Sequence, residues 1–294
     1  MPELTTIVLR SERLERVGQP IEAADFGIVE QPLSTWENIW NQPWLRKILI
    51  LIVLAAIWEL YARRLNNPLM VPTLSATLAA FVEAVLHGGL LAKVWVSLRI
   101  LMFGYALGIA IAALLTTLAI TTKIGNDFLE TLTAMFNPLP AIALLPLALL
   151  WFGLKPFSLA FVLIHSVLWP VALNMHSGFL SVSTTLRMVG RNYGLRGFPY
   201  VAKILMPAAF PSILAGLKIG WAFAWRTLIA AELVFGVVSG SGGLGWFIVE
   251  SKNRLDIPTV FAGLLTVILI GLFVENVIFR TIENRTIRRW GMAS

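Results

Sequence analysis

The chain has 294 residues, 57% hydrophobic and only 13% charged, with a net charge of +7 and no cysteine. Soluble domains carry roughly 25% charged residues, and the cations here sit at the ends of apolar runs, as orientation in a bilayer demands, so the positive charge points to a membrane and not to nucleic acid. The absence of cysteine excludes disulfide, haem-attachment and thiolate–metal chemistry.

Residues 1 to about 34 read as a poorly ordered tail. Trp36, Trp40 and Trp44 then recur every four residues and would share a helical face. Tryptophan prefers the membrane interface, so this stretch is expected to form an interfacial helix feeding the first span, with Pro43 as a kink. The first 45 residues lack the apolar core and cleavage site of a signal peptide. The first apolar run should therefore act as an uncleaved anchor. This divides the chain into a tail (1–45), a transmembrane domain (46–285) and a second tail (286–294).

A spanning helix needs roughly 20 largely apolar residues. Six such stretches are predicted, at about 46–63, 94–120, 128–152, 157–180, 212–238 and 258–282. The protein is thus expected to be an all-α integral membrane protein with six transmembrane helices. The third stretch is interrupted by Pro138, Pro140 and Pro146, which remove backbone donors. Such breaks are tolerated where protein or a polar cavity satisfies the freed groups, so this span is a candidate pathway lining, with Asn137 and Pro140 at its centre. Between the first two spans, TLSATLAAFVEAVL has apolar residues at helical spacing and predicts a short amphipathic helix outside. Gly104 with Gly108, and Gly216 with Gly220, lie four apart and can bring helices close.

An inward N-terminus places fourteen Lys and Arg on the cytoplasmic side and six on the other. Both termini and the loop from Arg187 to Pro211 are then cytoplasmic. That loop, RMVGRNYGLRGFPYVAKILMPAAFP, is basic, glycine-rich and free of acidic residues. It cannot remain in hydrocarbon.

No nucleophile, base and orienter stand out as a set. His87, His165 and His176 lack metal-ligand spacing. The run SGSGGLG at 239–245 is not followed by the lysine of a phosphate loop, so turn-making explains it better. The chain carries no nucleotide-hydrolysing motif, and uphill transport with ATP would require a separate ATPase subunit. Within the spans, Arg226 is the costliest residue, with Glu232 six positions on. Six positions turn a helix by about 600°, so the two do not share a face. A mid-membrane arginine usually faces the protein interior or a cavity, either lining a pathway or making an interhelical pair. Glu232, Trp225 and His165 are further pathway candidates, and Lys218 is expected to snorkel.

Gly194, Ile204 and Pro207 fall at the spacings of the loop signature of bacterial ABC-importer permeases. Met188, Val189 and Gly190 stand where that signature has Glu-Ala-Ala, and Met206 stands in place of its Leu. VWVSLRILMFGYALG, NPLPAIALLPLALLWFGL, ILAGLKIGWAFAWRTLIAAELV and GSGGLGWFI resemble, in matching order, the branch handling nitrate, sulfonates, taurine and bicarbonate. The resemblance covers about 46–285. It implies a type I ABC-importer permease fold, with a cytoplasmic coupling helix between helices 4 and 5 that seats in the ATPase. Arg187, Arg191, Gly194, Leu195, Arg196, Gly197, Ile204 and Pro207 would then carry coupling, Gly194 by allowing a tight turn and Pro207 by fixing the start of the fifth span. It also implies a bacterial inner-membrane location and partners: two cytoplasmic ATPases, which bind ATP and magnesium, a second permease and a periplasmic binding protein. No internal repeat is visible, so a homodimer is expected. The chain itself is expected to be no enzyme and to hold no cofactor. A secondary transporter or channel would normally show inverted halves and coupling-ion residues, and neither is visible. A non-transporting membrane scaffold is the remaining alternative.

Overall fold

The structure is a computed structural model and describes residues 41–236 and 242–289. The expected helix over Trp36–Trp44 lies largely outside the described residues. Two compact units divide between Leu54 and Ala55. Helix α1 (Pro43–Leu65) begins in the first. Pro43 is its first residue and not a kink within it, a position where the missing N–H costs nothing. Its apolar run, Ile48 to Trp58, is bounded by Arg46 and Lys47 on one side and by Glu59, Arg63 and Arg64 on the other.

From Ala55 onward the described residues are helical, with no strand among them. Helix α2 (Leu74–Leu86) is the predicted short helix, capped by Thr73, whose hydroxyl accepts from the Ala76 N–H at 3.2 Å. Glu59 accepts from the Ser75 backbone and hydroxyl, and Trp58 Nε1 donates to the Pro72 carbonyl, so the end of α1 is tied to the start of α2.

Among the described residues, four helices are long and apolar enough to cross a bilayer: α3 (Leu90–Thr121), α6 (Pro156–Ser181), α8 (Phe210–Phe235) and α10 (Ile257–Arg285). The third predicted span is not one helix. It consists of α4 (Lys123–Phe136) and a second arm, Ala141–Phe152, bent by 87° from the first, whose latter part is α5 (Leu145–Phe152). The bend falls at Asn137–Pro140, where two prolines remove backbone donors: Asn137 still has helical angles, and the chain leaves the helical region at Pro140, ψ 120°. Pro146 does not contribute to the break, because it sits in the first turn of α5, where proline is tolerated. Either four or five of these segments are therefore long enough to span.

The centre of the body is α6. In its apolar stretch 67% of residues are buried, against 28% for α3 and 22% for α10. Flanking helices reach it through glycine. A Cβ on Gly104 would lie 2.7 Å from Leu163 Cβ, and one on Gly108 would lie 2.8 Å from Val167 Cβ. On the other side, Gly216 and Gly220 of α8 meet Asn174 and Val171 in the same manner. Added methyl groups at such contacts cost about 1–3 kcal/mol each. Both small-residue pairs seen in the sequence are thus packing surfaces against one helix. The outer faces of α3 and α10 carry large exposed apolar side chains such as Leu114 and Leu272, a surface suited to hydrocarbon.

Candidate functional site: a helical loop and a central cavity

The segment between α6 and α8 is folded and not a loose loop. Helix α7 (Thr184–Asn192) starts at Ser183, whose hydroxyl accepts from the Leu186 N–H. It ends in a left-handed turn at Gly194, φ +73°. There the Gly194 N–H donates to the Arg191 carbonyl and the Leu195 N–H to the Gly190 carbonyl. This is a Schellman closure, which needs a positive φ at the residue after the cap. Gly197 has a second positive φ, +57°, and a run of short helical turns follows from Gly197 to Ala208. The turn Val201–Leu205 is a π-helix, in which the Met206 N–H reaches the Val201 carbonyl. Pro207 explains it, since its ring would clash with the carbonyl four residues back in a regular α-helix. The first turn of α8 itself holds Pro211.

Gly190 locks this segment onto itself, because a Cβ there would fall 2.9 Å from Ile204 and 3.0 Å from the Tyr200 ring. Arg187 is turned inward. Its guanidinium donates to the carbonyls of Phe179, Leu180 and Val182, and so neutralises the last turn of α6. Arg191 and Arg196 are exposed, Leu195 is half-buried, and Met188, Tyr193 and Phe198 stand out as large exposed apolar side chains.

The second feature is an open-sided cavity of about 430 Å³ lined by three elements. The break between α4 and α5 contributes Asn137 to Ile142, α6 contributes His165, Ser166, Trp169 and Pro170, and α8 contributes Phe223, Arg226, Thr227 and Ala230. The α8 residues lie three, four and seven apart, which is one helical face. Four of the six residues expected to line a pathway, Asn137, Pro140, His165 and Arg226, meet here. Trp169 and Phe223 were not among them, since on sequence they are ordinary apolar helix residues.

Arg226 is open to this cavity. Its Nε donates to the Ala222 carbonyl of its own helix at 3.1 Å, and its guanidinium lies 5.0 Å from the centre of the Phe223 ring. It makes no ion pair among the described residues. Trp169 stacks on Phe136 at 5.5 Å, and His165 packs edge-on against both. Trp169 is 6% exposed, yet its Nε1 has no hydrogen-bond partner among the described residues, nor does either ring nitrogen of His165. A buried donor left unpaired costs about 1–3 kcal/mol, and these ring nitrogens are closed off from the cavity as well as from partners.

Trp225 and Glu232 do not reach the cavity. Trp225 is buried toward α10, with Nε1 donating to the Val267 carbonyl at 3.3 Å. Glu232 is 2% exposed and holds the start of α9 (Leu244–Asn253). It accepts from Ser97 Oγ of α3 at 2.8 Å and from the Gly245 N–H at 2.8 Å, and Ser97 Oγ accepts in turn from the Leu244 N–H. Gly245 has no room for a side chain, because a Cβ would stand 2.5 Å from Glu232 Cβ. Part of the glycine run at 239–245 therefore serves this close approach, its residues up to 241 lying outside the described residues. Lys218 does not simply snorkel, because its ammonium pairs with Glu283 of α10 at 2.9 Å.

Among the described residues no group of acidic, histidine or cysteine side chains could hold a metal ion.

Residues 108–288 match the family of binding-protein-dependent transport system inner membrane components. A putative ABC transporter permease of Methanocaldococcus jannaschii is 31% identical over 243 residues, which cover 81% of this chain and 90% of the relative. A putative aliphatic sulfonates transport permease of Bacillus subtilis is 26% identical over 84% of this chain and 88% of its own length. A nitrate import permease of Synechocystis is 27% identical over 85% and 90%. Several apolar helices, a folded loop in the middle of the span order and these matches converge: the chain belongs to the inner-membrane components of binding-protein-dependent transport systems, as a multi-pass ABC transporter permease of the nitrate/sulfonate/taurine type.

Proposed function

We propose that this chain forms the membrane pathway of an ATP-driven importer and passes a small anion inward, of the sulfonate, taurine, nitrate or bicarbonate class, after an external binding protein delivers it. The observation that carries this reading is the segment from Val182 to Ala209. It is held rigid by the Schellman closure at Gly194, by the contact of Gly190 with Ile204 and by Arg187 on the end of α6. A rigid element that presents Met188, Tyr193 and Phe198 beside Arg191 and Arg196 suits docking to another protein. In this reading the partner is a cytoplasmic ATPase, which binds ATP and magnesium, and its motion reaches α6 and α8 through this segment. Hydrolysis belongs to that partner and not to this chain.

Six crossings follow if α1 spans despite its charged ends and if the bent pair α4–α5 crosses as one broken span. Both termini then face the cytoplasm, in keeping with the positive charge of the loops. One chain offers one docking segment, so a homodimer supplies two segments for two ATPases.

The test is purification of the tagged permease with its ATPase. Tyr193→Asp with Phe198→Asp should lower ATPase recovery at least tenfold while the permease still inserts. Undiminished recovery would remove the segment from the interface. Gly194→Val, which forces a β-branched residue into a left-handed turn at about 1–2 kcal/mol, should lower uptake more than membrane abundance. Equal uptake per inserted molecule would show that the turn is dispensable for coupling.

A further inference from the structure

We propose that the cavity around Arg226 selects an organic anion, with an oxyanion head on the Arg226 guanidinium and a short carbon body against Phe223 and Pro140. The inference rests on the anion-importer reading above and narrows its substrate class.

The head follows from charge. Arg226 opens into the cavity, and its one hydrogen bond, from Nε, goes to its own helix. The rest of its fork is left for a carboxylate- or sulfonate-like group, which it fits through parallel hydrogen bonds. No acidic residue lines the cavity. His165 and Trp169 line the same cavity, but their ring nitrogens are buried away from it, so the head's charged contact is with Arg226.

The body follows from size and lining. At roughly 30 Å³ per water, 430 Å³ corresponds to about fourteen waters, and a four-atom ion such as nitrate displaces only a few of them. The remaining wall is largely apolar, built from Pro140, Ile142 and Phe223 among others. A bare inorganic ion leaves that wall wet, whereas a short alkyl chain covers it and gains from the area removed from water. Sequence similarity does not make this choice, since the relatives named for sulfonates and for nitrate are 26% and 27% identical.

The test is equilibrium binding of radiolabelled 1-butanesulfonate to the full-length permease in lipid nanodiscs, with nitrate and 1-butanol as competitors. Butanesulfonate should bind, with nitrate at least tenfold weaker as a competitor and butanol without effect. Arg226→Gln should weaken binding at least tenfold with an unchanged elution profile, and Arg226→Lys should fall between. Ala230→Phe, which fills the cavity and leaves the charge, should also weaken butanesulfonate at least tenfold while nitrate competition persists. Equal competition by nitrate, or native affinity in both Arg226→Gln and Ala230→Phe, would overturn selection of an organic anion. Absence of butanesulfonate binding in a permease whose assembled importer still takes up an anion would overturn the cavity site and leave the importer reading standing. Anion uptake that persists without this chain would overturn the importer reading itself.

Discussion

Two faces of α8 solve the same problem in opposite ways. Arg226 and Glu232 are both ionisable residues within one apolar helix, six positions apart. Glu232 is enclosed, and its carboxyl group meets Ser97 and the Gly245 N–H in a site too tight for a Cβ on either neighbouring glycine. Arg226 opens on a cavity with its charge unmatched by any acidic residue among those described. Burying a polar group is costly unless its hydrogen bonds are met. Saturated partners therefore mark Glu232 as a structural tie, whereas the open guanidinium of Arg226 marks a place built for something that comes and goes. The rule to draw is that partner saturation, more than residue type, separates architecture from function inside a membrane protein.

The contrast breaks most easily on the Glu232 side. Glu232→Ala removes two hydrogen bonds and leaves the Ser97 hydroxyl and the Gly245 N–H short of a buried partner, at about 1–3 kcal/mol each and on the order of 2–6 kcal/mol together, and frees the start of α9. The detergent-solubilised protein should melt at a markedly lower temperature and be depleted from the membrane. A variant with native melting would remove the tie from the architecture. Gly245→Val should act in the same direction through overlap alone.

Arg226 should show the converse. Arg226→Gln gives up only interactions within α8, the hydrogen bond to the Ala222 carbonyl and the approach to the Phe223 ring. Stability should therefore move by no more than about 0.5 kcal/mol, as at open sites. Uptake by the assembled importer should nevertheless drop at least tenfold, with Arg226→Lys less affected because it keeps the charge without the fork. A drop in melting temperature that parallels the drop in uptake would place Arg226 on the structural side.

The smallest effect is expected at Lys218, the third ionisable residue of α8. Its pair with Glu283 is partly open to solvent, both side chains being about a third exposed. Lys218→Met should shift stability by at most about 1 kcal/mol, as partly screened pairs do. A larger loss would mean that α8 and α10 depend on this pair for their packing.

The same contrast divides what the chain declares locally from what its packing decides. The sequence alone was enough for the membrane class, the places of most helices, the small-residue packing pairs and the family resemblance carried by Gly194, Ile204 and Pro207. These are local properties. Hydrocarbon demands apolar runs of a certain length, and a left-handed turn demands glycine, whatever the rest of the chain does. Helical periodicity also showed that Arg226 and Glu232 point apart. It could not say what each one meets. The Ser97–Glu232 bond joins residues 135 positions apart, and the Arg226 cavity is assembled from a broken span, α6 and α8. The prolines at 138 and 140 predicted a break in the third span, but its 87° angle, and with it the cavity wall, depended on how both arms pack on α6. In the same way Arg187, one of four cations in a basic loop, was indistinguishable from Arg191 until the end of α6 came within its reach. Side-chain environment is set by neighbours remote in the chain, and only the tertiary structure brings them together.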